Sequence, residues 1–288
     1  VERSRGLGDV YKRQLNRLLR LPFKHISKDI YMEWNVVRKP FSVINCIFMS
    51  EDGILAKGYD KRIMLVASLN HERYYHELLN ELLEDDTVFI DVGAHLGAFS
   101  LRVAKRCRNG VVIALEPDPR NYYYLVQNIM LNNLTNIIAL PIAAYSESDR
   151  ILTFWFGTSS GESSLLPDWD VIKGTKLKVL AKKLDDVVEM VGVEKVDLIK
   201  IDVEGAEHYV LEGAVSALKK HHPVLFLEVH GKKQWGYVSK FLFRLDYRIR
   251  VVRISPLNEY HRNTVAYWKN DARAEEIIEK HIPEVIRK

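Results

Sequence analysis

Apolar residues along this chain fall into short, nearly unbroken runs, separated by longer stretches in which they recur every three or four positions. The runs at 87–92, 111–116, 137–142, 197–202 and 224–230 read as strands buried on both faces, and the stretches at 98–107, 119–132 and 204–221 as amphipathic helices. This alternation predicts a doubly wound α/β fold, with helices on both sides of a parallel sheet. Two further strands, at 151–156 and 175–180, flank a Gly/Ser loop and break the alternation, so an insertion beside the sheet is expected there. Asp185 and Asp186 read as acidic first-turn residues of a helix and are assigned no chemistry. Tyr122, Tyr123 and Tyr124 share a helix with Leu125 and Ile129, which favours packing over base stacking.

The flanks are patterned more weakly. Segment 74–83 is helical in pattern, and 41–49 and 54–66 read as short strands about the turn Glu51-Asp52-Gly53. Leu15, Leu18, Leu19 and Leu21 lie among Arg17, Arg20 and Lys24, as in a short basic amphipathic helix. That helix is read as packing on its own domain, with peripheral contact to a membrane or partner as the alternative. Residues 1–14 lack an initiator Met and apolar patterning, and are read as non-native or disordered. Beyond 230, segments 241–252 and 264–268 are assigned to the end of a helix and two strands. A surface helix is expected at 271–288, where charges alternate around Ile277, Ile278 and Ile282. The expected division is 1–14, an accessory cap at 15–73, the main domain at 74–270 and a helical tail at 271–288.

Composition narrows the function classes. The 42 basic and 38 acidic residues give a net charge of +4, spread along the chain rather than gathered in a block, so no nucleic-acid partner is expected. Cys46 and Cys107, with no C-x-x-C pair, make neither a disulfide framework nor a cysteine zinc site. The longest apolar runs, 41–49 and 111–115, fall far short of the ~18 residues of a membrane span. Residues 1–13 lack the apolar stretch of a secretory signal, so a cytoplasmic home is expected.

The chemistry begins at the first buried strand, which runs through Asp91-Val92-Gly93-Ala94-His95-Leu96-Gly97 into a helix. Glycines suit a sharp turn that lets a ligand approach the backbone. Their spacing is G-x-x-x-G, not the G-x-G-x-x-G of dinucleotide enzymes. Glu116 ends the next strand 23 positions after Gly93, near the ~20-residue offset at which a carboxylate meets a ribose. Carboxylates here would repel a pyrophosphate, whereas S-adenosylmethionine (SAM) carries a sulfonium, an ammonium and no phosphate. The candidate cofactor residues are therefore Asp91, Gly93, Ala94, His95, Gly97, Glu116 and Pro117, with His95 equally readable as an ordinary loop histidine. Asp118-Pro119 reads as a helix cap followed by a first-position proline.

A second constellation lies at Lys200-Ile201-Asp202-Val203-Glu204-Gly205-Ala206-Glu207 and at Glu228-Val229-His230. Residues two apart in a strand share a face, so Lys200 and Asp202 point together, as do Glu228 and His230. Both pairs end strands at the edge where open α/β sheets bind ligands. An internal network, such as Lys200 with Glu228, is the structural alternative. First-turn stabilisation of a helix is the alternative for Glu204 and Glu207.

These two stretches and the glycine loop resemble the FkbM family of SAM-dependent methyltransferases. The family pattern D-V-G-A-[NH]-x-G, E-P and I-K-I-D-V-E-G-A-E is matched nearly residue for residue within about 85–231. The resemblance implies a Rossmann-like, seven-stranded class I methyltransferase sheet with a short reversed edge strand. It also implies cofactor positions at Asp91, Gly93, Gly97 and Glu116, and a signature at Lys200, Asp202, Glu204 and Glu207. Ser160-Gly161-Glu162-Ser163-Ser164 is similar, in looser form, to the family's Gly/Ser loop. The implied reaction is methyl transfer to oxygen on a sugar, glycolipid or polyketide-type natural product.

Asp202 or His230 is the expected base for an acceptor hydroxyl, with Lys200 orienting charge and Glu228 and Glu204 beside them. A divalent ion on Asp202, Glu228 and His230 is chemically compatible, but no helical H-x-x-x-H or dense Asp cluster supports it, and no metal is expected. The rival readings are a non-catalytic SAM-fold binding module and a nucleotide-cofactor oxidoreductase. The amino-methylating tetrapeptides N-P-P-Y and D-P-P-Y are absent.

Overall fold

The structure, a computed structural model, describes residues 47–50, 52–58, 73–157, 163–166, 171–254 and 261–282. The basic helix expected near residues 15–24 lies outside the described residues, as do residues 158–162 of the Gly/Ser loop.

The described chain opens with β1 (Phe48–Met49), β2 (Leu55–Ala56) and α1 (Arg73–Leu82). The alternating block follows as β3 (Val88–Val92), α2 (Ala98–Arg106), β4 (Val111–Leu115), α3 (Pro119–Leu131) and β5 (Ile137–Leu140). Next come β6 (Ala143–Ala144), β7 (Arg150–Gly157), β8 (Val171–Lys182), α4 (Leu184–Val191) and β9 (Leu198–Ile201). The remainder is α5 (Glu207–Glu212), α6 (Val215–His221), β10 (Val224–His230), α7 (Lys232–Arg244), β11 (Tyr247–Ile254), β12 (His261–Trp268) and α8 (Ala272–His281).

Seven of these strands form one sheet in the order β5-β4-β3-β9-β10-β12-β11. Pairing is parallel from β5 to β10 and antiparallel on both sides of β12. The fold is therefore the doubly wound, seven-stranded α/β sheet expected of class I methyltransferases. Alternating side chains of each strand serve opposite faces, as strand geometry requires. Phe89, Leu198 and Phe226 enter one apolar layer with Leu101 and Tyr75, whereas Ile90, Ile199 and Leu225 enter the other with Leu211 and Leu242.

Two sequence expectations change. The helix expected at 204–221 begins only at Glu207, because Glu204 and Gly205 take left-handed φ values of 52° and 97°, and it then divides into α5 and α6. At its middle, Gly213 runs against the Tyr145 carbonyl, where a Cβ would lie 2.0 Å from the oxygen. The reversed strand, β12, is not the edge but lies between β10 and β11. Residues 263–267 of β12 are all buried, whereas β11 stays partly exposed, as the inner and outer places in the sheet require. The acidic pair opening α4 also has a structural task, since Asp185 accepts bonds from Ser216 N and Ala217 N at 2.9 and 2.8 Å and caps α6.

The insertion forms its own three-stranded sheet, β6-β8-β7, beside the main one. Asn128 of α3 and Asn132, its C-cap, bond the backbone of Lys57 and Leu55, so side-chain amides do for β2 what a neighbouring strand would. Tyr75 of α1 reaches across the sheet, its hydroxyl lying 3.1 Å from the Leu227 carbonyl and 3.0 Å from that of Thr264. Tyr75→Phe should lower stability by about 1 kcal/mol, read as a shift in the urea unfolding midpoint with an unchanged slope.

Candidate active site

The strand order reverses between β3 and β9, and ligand crevices of open α/β sheets lie outside the carboxyl ends of strands at such a point. The chain leaves β3 through Gly93 at φ 78° and enters α2 through Gly97 at φ 96°. Gly93 N and Ala94 N both donate to the Leu115 carbonyl at 3.0 Å, which pins the loop to the end of β4. A Cβ on Gly93 would lie 1.9 Å from the Asp202 carbonyl oxygen, so the two strand ends meet only because this residue is glycine.

Glu116 follows β4 directly. Its carboxylate accepts from His95 N at 2.7 Å and Asp118 N at 2.8 Å, and Asn121 also bonds it. Burial, reinforced by the Asp118 charge, pushes its carboxyl up to about 8, against the pull of these hydrogen bonds. Asp118 caps α3, accepting from Arg120 N at 2.9 Å with Pro119 in the first helical turn. The same carboxylate pairs with the Arg120 guanidinium at 2.5 Å.

Asp91 and Lys200 face each other in register on β3 and β9. Asp91 Oδ2 accepts from Ser100 Oγ at 2.6 Å and Ser100 N at 3.2 Å, giving α2 the cap that Gly97 cannot supply. The Lys200 ammonium lies 3.6 Å from Asp91 Oδ1, 3.4 Å from Asp202 Oδ2 and 3.4 Å from the Gly93 carbonyl. It thus ties both strand ends and the glycine loop to one cation.

Beyond β9 the chain turns through Glu204, whose carbonyl accepts from Ser164 Oγ at 2.7 Å. Its carboxylate lies 3.5 Å from His230 Nε2, with Glu228 3.8 Å from the same nitrogen. His230 Nδ1 bonds Glu207 Oε1 at 2.7 Å, and Glu207 in turn accepts from Gly205 N at 2.9 Å. His261, opposite His230 in the β10–β12 register, bonds Glu228. Burial disfavours charge on His230, but the bond to Glu207 and the charges of Glu204 and Glu228 outweigh it and push the ring up to about 10. Burial and the neighbouring carboxylates push Glu204 up to about 8, and burial followed by the Glu228 charge raises Asp202. Glu228 is driven down to about 2, because His261 and His230 overcome its burial.

These elements surround a cavity of about 210 Å³. Gly93, Ala94, His95, Glu116 and Pro117 line one side of it, and Lys200, Asp202, Glu204 and Glu228 also face it. Three candidates from the sequence do not line it. Asp91 is turned to the α2 terminus and Lys200, Gly97 packs on Leu125 and Leu101, and His230 sits behind the carboxylates. Sequence reasoning missed Asn121, Phe99 and Phe154, which also line the cavity. Asn121 had a faint signal as the third residue of a capped helix, from which a side chain can reach back. Phe154 comes from the insertion, and only its packing reveals it.

A family model described as the methyltransferase FkbM domain matches residues 91–249, more than half of the chain. The chain is 29% identical over 159 residues to the methyltransferase sdnD of Sordaria araneosa, covering 46% of this chain and 61% of that protein. It is 25% identical over 202 residues to the hexuronic acid methyltransferase AglP of Haloferax volcanii, covering 68% and 77%. A tRNA (guanine(37)-N(1))-methyltransferase of Puccinia graminis is 28% identical over 175 residues, covering 53% and 34%. The chain thus spans about three-fifths of sdnD and one-third of the tRNA enzyme. The glycine loop and acidic corner at the switch point, and a family match running from the end of β3 into β11, establish that this chain belongs to the FkbM family of SAM-dependent methyltransferases.

Proposed function

We propose that the chain transfers a methyl group from SAM to a hydroxyl of a sugar, a sugar acid or a related natural product. The observation that carries this reading is one cavity with two chemically different sides, the glycine loop with Glu116 and the carboxylate cluster with Asp202. The donor set fits SAM. Glu116 spends its hydrogen-bond capacity only in part on His95, Asp118 and Asn121, leaving lone pairs for a ribose diol. The four acidic side chains among the lining residues suit the sulfonium and ammonium of SAM better than the pyrophosphate of a dinucleotide. Lys200 does not reverse that balance, because Asp91 and Asp202 flank it.

Bound SAM supplies an electrophilic methyl group, whose sulfur leaves as a neutral thioether. This chain's residues align the acceptor oxygen and receive its proton, and alignment supplies much of the rate. The proton passes to a cavity-facing carboxylate, Asp202, Glu204 or Glu228. His230 is a poorer candidate, since it does not line the cavity and both its nitrogens face carboxylates. The likeness to AglP, by its name a hexuronic acid methyltransferase, favours a glycan acceptor.

A screen with methyl-labelled SAM over hexuronic acids, neutral sugars, glycolipids, polyketides and tRNA tests this. Label is expected in a sugar-type hydroxyl, and Asp202→Ala should slow transfer by about 100-fold while SAM binding persists. Label in tRNA alone would replace the acceptor class, and SAM binding without transfer to any acceptor would favour a non-catalytic module.

A further inference from the structure

The cluster beside the cavity gathers two carboxylates and an imidazole from three places in the chain. One ligand atom from each of Asp202, Glu204 and His230 lies within 4.8 Å of the other two. The three arrive from separate places: the end of β9, the left-handed turn after it, and the last residue of β10. Asp202 and Glu204 line the cavity, and His230 closes the set from behind.

Two observations beyond this proximity point to a ligand. First, His230 is oriented as metal-binding histidines are. Its Nδ1 bonds Glu207, which is fully buried, and Glu207 is itself held by Gly205 N. A carboxylate on one ring nitrogen fixes the orientation of the ring and aims the other, here Nε2, at the cluster, where a bound cation would take the place of the Nε2 proton. Second, Nε2 stands 3.5 Å from Glu204 Oε2, close to the spacing of two ligand atoms that share one ion. Two donors each ~2.1 Å from one ion lie roughly 3.0–3.5 Å apart, so a small contraction would seat a cation between them. The other trio sharing this ring, Glu228, His230 and His261, is already closed by the bond between Glu228 and His261.

We infer that Asp202, Glu204 and His230 hold a divalent first-row cation, with Glu207 as the positioning residue behind His230. One imidazole and two carboxylates suit Mn²⁺ or Zn²⁺. Because the two carboxylates face the cavity, the ion's remaining positions open toward the acceptor oxygen. Coordination there aligns that oxygen and eases loss of its proton. Binding of the ion does not depend on the acceptor's identity; only its catalytic purpose rests on the methyl-transfer reading above.

The experiment uses the full chain, stripped with chelator and desalted, and follows Mn²⁺ by the electron paramagnetic resonance signal of the free ion and Co²⁺ by visible absorption. One equivalent should bind. Asp202→Asn and His230→Gln should each weaken binding at least tenfold, and Glu207→Gln by about 10-fold or more through the ring it orients. Circular dichroism melts report whether each variant folds, and Asp202→Asn carries the test if His230→Gln does not. Absence of binding at millimolar Mn²⁺ and Co²⁺, or binding unchanged in folded Asp202→Asn, would overturn the site and leave an ion-pair cluster. Calorimetry of the wild type with SAM separates the outcomes: lost SAM binding sinks the methyltransferase reading, and lost Mn²⁺ binding alone sinks the cation site.

Discussion

Gly93→Ala is expected to destabilise the protein by about 2–5 kcal/mol and to abolish measurable SAM binding. A left-handed backbone at φ 78° costs an L-residue about 1–2 kcal/mol. The larger part is steric, because the new Cβ would lie 1.9 Å from the Asp202 carbonyl oxygen. No side chain can rotate to relieve that contact, so β3 and β9 would have to part at their carboxyl ends, adding overpacking strain of about 1–3 kcal/mol. Separation would also break the bond from Asp202 N to the Val92 carbonyl, 3.1 Å in the native packing, and disturb the Lys200 contact with the loop. Gly236→Ala is the control. This glycine lies within α7 with open space around its Cβ position, so alanine there should add about 0.5–1 kcal/mol. Paired thermal melts decide the matter, and equal effects at the two sites would refute the steric account.

Glu116→Gln should weaken SAM binding by about 100-fold in titration calorimetry. Two charge-assisted hydrogen bonds to a ribose diol are worth about 3 kcal/mol or more together. The replacement amide would also set a donor against His95 N or Asp118 N, each of which now meets a carboxylate oxygen. A pH dependence follows from the same group. Its carboxyl is raised to about 8 by burial, so only the ionised fraction is competent to accept from the ribose. The apparent Kd should rise about fivefold from pH 8 to pH 7, then about tenfold per unit below, as that fraction falls. Folding without ligand has the opposite sign. A carboxyl whose folded value lies above its unfolded value near 4.5 favours folding at low pH, and that contribution is lost as pH rises through about 8. The thermal shift given by SAM should therefore be larger at pH 8.5 than at pH 6.5. A flat Kd profile across this range in the wild type would remove Glu116 from the ribose.

Much of the architecture was legible because its strands are apolar on both faces. Val224–His230 was delimited in the sequence as it stands in the fold, and β3, β4 and β9 lie within a residue of their expected ends. Buried parallel strands announce themselves by composition, whatever their neighbours are. Asp118-Pro119 was readable as a helix start for a local reason too, since a cap acts on amides of its own first turn. The division of the 204–221 helix was not legible, because it answers to the distant Tyr145 carbonyl. Nor was the inner place of β12, which depends on competition between two strands for the buried position.

At the site the boundary between the two kinds of information is sharper. By itself, the sequence determined the glycine loop, the acidic corner at Glu116 and the residues Lys200, Asp202, Glu204, Glu228 and His230, because residue type and spacing are local properties. Only the tertiary structure decided which way each side chain turns. It sent Asp91 to the α2 terminus, set Lys200 between two carboxylates, and placed His261 beside Glu228 across an antiparallel register. It also put Glu207, which had read as a first-turn acid, behind His230. The physical reason is that orientation is settled by partners far away in the chain. Buried polar groups turn to wherever a hydrogen bond or opposite charge is found, and only the packed sheet brings those partners within reach.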